Sequence, residues 1–191
     1  FYSLLYDTAM EIAADGSTVV EIYYDRYYYL MNFDLDGGYG VEPIYARYGA
    51  AVSVSDPTKP GYTFAGWDPA LPSVMPAAGI TVRAQWTANA YHIALDANGG
   101  SGTAVSVPAA YDQTQTLPDN PFARAGYAFD GWNTEADGTG TAYADQAEVK
   151  NLTDEKDGTV TLYAQWKINR VKVTFKPENG EEAVVREGDY A

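Results

Sequence analysis

The sequence predicts a mainly β chain, α+β at most, made of small modules in tandem with little helix. Three observations carry the prediction. Motifs recur in a kept order: LDGG at 35–38 and the close of LDANGG at 95–100, GYTFAGW at 61–67 and GYAFDGW at 126–132, TVRAQW at 81–86 and TLYAQW at 161–166. Apolar residues alternate with polar ones at period two around these motifs, the signature of strands with one face on a core. Asp-Gly, Asn-Gly-Gly and Asn-Gly close several of the runs and accept the positive φ of tight hairpin turns.

The elements follow in order. In 18–24, Val20, Ile22 and Tyr24 share one face, so ADGSTVVEIYYDR at 14–26 reads as a closing strand like DGTVTLYAQWK at 157–167. Opening strands are expected at YLMNFDL 29–35, YHIALD 91–96 and VKVTFK 171–176, with return strands at PIYARY 43–48 and VSVPAAY 105–111. Closing strands fall at 80–86 and 158–166, where Ile80, Val82, Ala84 and Trp86 match Val160, Leu162, Ala164 and Trp166. Pro57, Pro60, Pro118 and Pro121 favour extended or turning chain between strands. One short helical turn is expected near Thr114–Leu117.

Phase sets the boundaries. Trp86 precedes Leu95 by nine residues, Trp166 precedes Phe175 by nine, and Tyr24 stands nine before Phe33. Residues 1–27 are then the C-terminal part of a preceding divergent repeat, 28–88 a complete short module, 89–168 a complete long module, and 169–191 the truncated start of a further repeat. The length difference is expected in one polar, glycine-dotted stretch at 133–158, and the short copy, with DPALPSVMPAAG, lacks a strand or hairpin there. Linkers of a few residues, Thr87–Ala90 and Lys167–Arg170, imply a semi-stiff rod of beads.

Composition excludes several classes of function. The chain has 191 residues, 26 acids against 12 bases and a formal charge of −14, a poor partner for nucleic acid or anionic lipid. There is no cysteine and one histidine, His92, which removes disulfides, thiolate metal sites and most acid–base catalysis. No run approaches the roughly 18 apolar residues of a membrane span. No signal peptide is visible and the chain opens on Phe1, as a piece of a larger protein does.

The order LDxxGG, GYxFxGW, (L/V)xAQW over 28–167 resembles the internalin-type B-repeat, also called the Listeria–Bacteroides repeat. The resemblance implies a β-grasp-like (ubiquitin- or SUMO-like) module with no catalytic activity, and the residues themselves lead to no expected cofactor or metal. It also implies an extracellular place on a bacterial cell surface or cell wall, as stalk, spacer and adhesion element contacting neighbouring repeats and a host protein or glycan. The N-terminal ADGSTVVEIYYDR lacks the tryptophan and looks closer to mucin-binding-type repeats.

Each candidate site residue also has a framework role open to it. Trp67, Trp86, Trp132 and Trp166 occupy repeated positions, so core packing outweighs sugar stacking. Tyr23, Tyr27 and Tyr29, in the junction EIYYDRYYYLM, are the candidate ligand-contact surface, with an inter-repeat seam as the plainer reading. A carbohydrate-binding accessory module of a secreted enzyme is the alternative function. Asp36, Asp96, Asp137 and Asp157 read as turn residues before catalytic acids. The loop Glu135–Asp145 lacks the spaced pattern of a calcium loop. Lys59 and Arg124 hold one repeat position, which points to a structural hydrogen bond or surface ion pair.

Overall fold

The computed structural model describes residues 2–5, 13–19, 23–178 and 181–189. Every regular element among them is a strand, and no helix long and apolar enough to cross a membrane occurs. The chain divides into two compact units, Phe1–Thr87 and Ala88–Ala191.

The first unit contains β1 (Tyr2–Leu5), β2 (Tyr23–Arg26), β3 (Tyr28–Asp34), β4 (Ile44–Arg47), β5 (Tyr62–Asp68) and β6 (Ile80–Ala88). β1 and β2 pair antiparallel, and a four-stranded sheet runs β4-β3-β6-β5. β3 is antiparallel to β4 and parallel to β6, with Met31 against Ile80 and Phe33 against Val82. A parallel pair requires a long crossover, and residues 48–79 supply it. Period-two alternation points Met31, Val82 and Ala84 inward, where they are buried with Met75 of the crossover. The crossover is extended: Ala51 bridges Val74, and Met75 N–H donates to Ala50 O at 2.8 Å.

The second unit contains β7 (Ala90–Asp96), β8 (Ser101–Gly102), β9 (Val105–Ala110), β10 (Gln115–Thr116), β11 (Phe122–Ala123), β12 (Tyr127–Asn133), β13 (Ala142–Tyr143), β14 (Glu148–Val149), β15 (Thr159–Ile168), β16 (Arg170–Phe175) and β17 (Val184–Asp189). Its main sheet runs β13-β12-β15-β7-β9, again with one central parallel pair, β7 and β15. Tyr91, Ile93 and Leu95 of β7 and Leu162 and Ala164 of β15 line one face. Leu117, Phe122, Val149 and Trp132 close over them. The small pairs β8–β11 and β10–β14 form that covering layer, and β16–β17 is a separate antiparallel hairpin.

Three expectations change. The helical turn near Thr114–Leu117 is strand β10 instead, because Leu117 precedes Pro118, which disfavours helical backbone. Leu117 also buries its side chain while its N–H donates to Ala147 O. The added length of the long module is split. Pairing of Ala51 with Val74 and of Thr116 with Glu148 aligns residues 69–73 with 134–147, and 76–79 with 150–159. The linkers shrink to single residues, Asn89 and Asn169, since β6 and β15 run two residues past their tryptophans. In the expected strand at 18–24, residues 20–22 lie outside the described residues, as do Asn179 and Gly180 of the last turn.

Candidate functional site

The three repeated motifs meet in one place in each module. Asp36 and Gly37 adopt φ of 48° and 85°, and Asn98 and Gly99 adopt 44° and 84°, so each LDxxGG motif makes the same primed turn. Asp34 Oδ1 accepts from Asp36 N–H at 3.1 Å, and Asp96 Oδ1 accepts from Asn98 N–H at 2.7 Å. The first carbonyl of the turn then accepts twice. Leu35 O takes Gly38 N–H at 2.9 Å and the Trp86 indole N–H at 3.0 Å. Ala97 O takes Gly100 N–H at 2.9 Å and the Trp166 indole N–H at 2.9 Å. The indole lies so close to the last glycine that a Cβ on Gly38 would fall 2.6 Å from Trp86 Cζ2, and one on Gly100 2.7 Å from Trp166 Cζ2. The glycine of LDxxGG and the tryptophan of AQW thus require each other.

GYxFxGW supplies the other wall. Phe64 meets Trp67 and Trp86 edge-on at 5.1 and 5.6 Å, and Phe129 meets Trp132 and Trp166 at 5.0 and 5.7 Å. Such pairs add about 0.5–1.5 kcal/mol each beyond burial. The recurrent cation completes the pattern. Lys59 Nζ lies 4.5 Å over the Tyr62 ring and donates to Asp36 O at 2.7 Å, while Arg124 lies 4.2 Å over Tyr127 beside Gly99.

One surface does not recur. On the open side of the first sheet, Tyr28, Leu30 and Tyr45 are exposed, with Tyr45 at 69%. The register partners of the second module at these places are Ala90, His92 and Pro108. Tyr28 and Tyr45 stack at 5.3 Å and 25°, and Arg47 covers Tyr28 at 5.4 Å, donates to its hydroxyl at 3.0 Å and pairs with Asp25 at 3.2 Å. That hydroxyl bond and the Asp25 charge raise the Arg47 pKa further.

The Listeria-Bacteroides repeat domain matches residues 29–70 and 91–165. The chain belongs to the Listeria-Bacteroides repeat family. A Gly-rich membrane protein by name, from Evansella cellulosilytica, is 34% identical over 82% of this chain and 20% of its own length. A second protein of that organism, also named as a membrane protein, is 34% identical over 85% of this chain and 26% of its own length. Internalin H of Listeria monocytogenes is 34% identical over 74% of this chain and 25% of its own length. The chain therefore spans a fifth to about a quarter of the relatives it matches.

In this Listeria-Bacteroides repeat chain the candidate tyrosines separate. Tyr27 is exposed at the entry to β3. Tyr29 is half-buried on the inward register, the place of buried Tyr91. Tyr23 lies in β2, its side chain outside the described residues. The signal that finds Tyr28, Leu30 and Tyr45 instead is strand parity: they alternate with inward Tyr29 and Met31. Trp132 is fully buried, while Trp67, Trp86 and Trp166 are half-buried. No group of three or more acids and histidines spaced to hold a metal occurs among the described residues. In the 135–145 loop, Asp137 accepts Thr139 N–H and hydroxyl at 3.0 and 2.7 Å, which lowers its pKa, and Asp145 accepts Asn120 N–H. The Asp137 carboxylate serves its own turn, and the Asp145 carboxylate ties this loop to the chain at Asn120. His92 is exposed on β7.

Proposed function

We infer that this chain is a non-catalytic segment of a bacterial surface protein, in which β-grasp-like modules act as stalk and spacer and the short module offers a contact surface to a host protein. One observation carries the reading: the turn, the aromatic wall and the tryptophan lock are built twice and absorb all four tryptophans into the framework. A solitary reaction centre has no place in such duplication. The sheet order supports the β-grasp reading. In both modules the opening and closing strands pair parallel at the centre, the return strand flanks one and the GYxFxGW strand the other, and extended chain replaces the usual helix. The relatives named as membrane proteins and as an internalin favour the cell surface.

The contact surface is Tyr27, Tyr28, Leu30 and Tyr45. Protein is favoured over glycan because Tyr28 has Tyr45 on one side and Arg47 against its ring, which leaves little of that ring for a sugar to stack on. Small-angle scattering tests the stalk: an elongated particle is expected, and a compact sphere sinks it. Adhesion of beads bearing the chain to host cells tests the surface. Tyr28→Ala with Tyr45→Ala reduces attachment if the reading holds, and unchanged attachment removes it. Binding on a glycan array that depends on these tyrosines returns the carbohydrate-module alternative.

A further inference from the structure

The terminal hairpin β16–β17 reproduces the opening hairpin of a module. Val171, Val173 and Phe175 follow Trp166 as Tyr91, Ile93 and Leu95 follow Trp86. The cross-strand pairing is the same: Phe175 faces Val184 as Leu95 faces Val105, and Val173 faces Arg186 as Ile93 faces Val107. In the long module this row is 1%, 0% and 4% exposed under Leu117, Phe122, Trp132 and Val149. In the hairpin it is 46%, 48% and 56% exposed, and a shallow concavity lies over Phe175, Val184 and Arg186. The opposite face is mostly polar, with Val185 against Thr174 as its one exposed apolar side chain among the described residues. Arg170 pairs with Asp189 at 3.4 Å, and Lys172 faces Glu187. Among the described residues β16 carries one neighbour, β17, whereas β7 carries β9 on one side and β15 on the other.

The chain itself shows what covers such a row, because residues 111–168 do so in the long module. The complementary strand pair also occurs apart from its hairpin. β1 and β2 match Tyr2 with Arg26 and Leu4 with Tyr24, the register of Tyr127 with Ile168 and Phe129 with Trp166.

We propose that the apolar face of β16–β17 is a docking surface for the second half of a repeat of this family. The occupant is an extended crossover, a GYxFxGW strand and a closing (L/V)xAQW strand, the last lying parallel to β16 as β15 lies along β7. Its indole is assigned to the carbonyl of Pro177, which holds the sequence place of Leu35 and Ala97. This deepens the modular reading above and rests on it.

The test mixes the intact chain with a recombinant segment of its own residues 111–168. Saturable binding by calorimetry is expected, with amide exchange over 170–175 slowed about tenfold or more. Val173→Asp weakens binding about tenfold or more, while Thr174→Asp on the opposite face leaves it unchanged. A second arm fuses the same segment after Ala191 and reads the same amides, in case the free segment aggregates. Absence of protection in both arms, or equal effects of the two substitutions, overturns the proposal. So does a dimer of the chain alone that Val173→Asp dissolves, because the occupant is then a second copy. A failed titration leaves the tandem reading of 28–168 standing, since scattering tests that independently.

Discussion

In the short module the turn after the opening strand is tied down by charge. Arg83 reaches Asp36 at 2.5 Å and Asp34 at 3.5 Å, and Lys59 holds the Asp36 carbonyl. In the long module the same turn is tied by a neutral amide. Asn98 stands where Asp36 does, and its Nδ2 donates to Ala136 O at 2.7 Å and Ala164 O at 2.9 Å, while Tyr163 replaces Arg83. The longer loop makes this exchange workable, because Ala136 belongs to the stretch 134–147, which the short module shortens to residues 69–73. That stretch also adds β13 beyond β12, so the long sheet has five strands and the short one four. At the matching edge the short module places Pro69, which offers no N–H for pairing, where Thr134 donates to Thr141 O. One framework is therefore finished twice, once by added chain and once by surface ions and a proline. Added chain buries more, and surface ions depend on pH and salt.

The largest test of this difference is at the GYxFxGW tryptophans. Trp132→Ala, from a fully buried site, is expected to destabilise the long module by about 3–5 kcal/mol. Trp67→Ala, from a half-buried site, costs the short module visibly less. Amide exchange resolved by module measures both, and equal losses would break the contrast. Next come the glycines of the same motif, which bend the strand at φ of 126° and 119°. A Cβ at Gly131 falls 2.7 Å from Tyr143 O of β13, whereas one at Gly66 meets nothing within 4 Å. Both substitutions strain the backbone, and Gly131→Ala is expected to cost about 1–3 kcal/mol more than Gly66→Ala through overpacking. Gly38→Ala and Gly100→Ala probe what the modules share. Each pushes a methyl into a tryptophan, so each costs about 1–3 kcal/mol, with no difference between modules in the same exchange experiment.

The smallest effect is that of pH. The Arg83 hydrogen bond and charge, with Lys59 beyond, hold the Asp36 carboxyl below its ordinary range. A lowered folded value means the stabilisation is complete above the ordinary carboxylate pKa and is lost as pH falls through the folded value. Acid should therefore loosen the 35–38 turn before the 95–100 turn, and salt should do the same. Chemical shifts of Gly38 and Gly100 followed from pH 6 down to about pH 2 check it. Simultaneous loosening would show that the neutral amide confers no advantage.

Most of the strands and turns were legible in the sequence because they depend on local rules. Period-two alternation sets which side chains share a face, and Asp-Gly or Asn-Gly sets where a hairpin reverses. Parity alone also places Tyr28, Leu30 and Tyr45 on the open face and Tyr29 on the inner one. Other features depend on residues far apart in the chain. That Gly38 and Trp86 share one space and that Leu35 O accepts two donors both follow from the parallel pairing of opening and closing strands. No local window holds both partners of those contacts, so only the closed sheet, with its excluded volume and its buried polar groups needing partners, decided them.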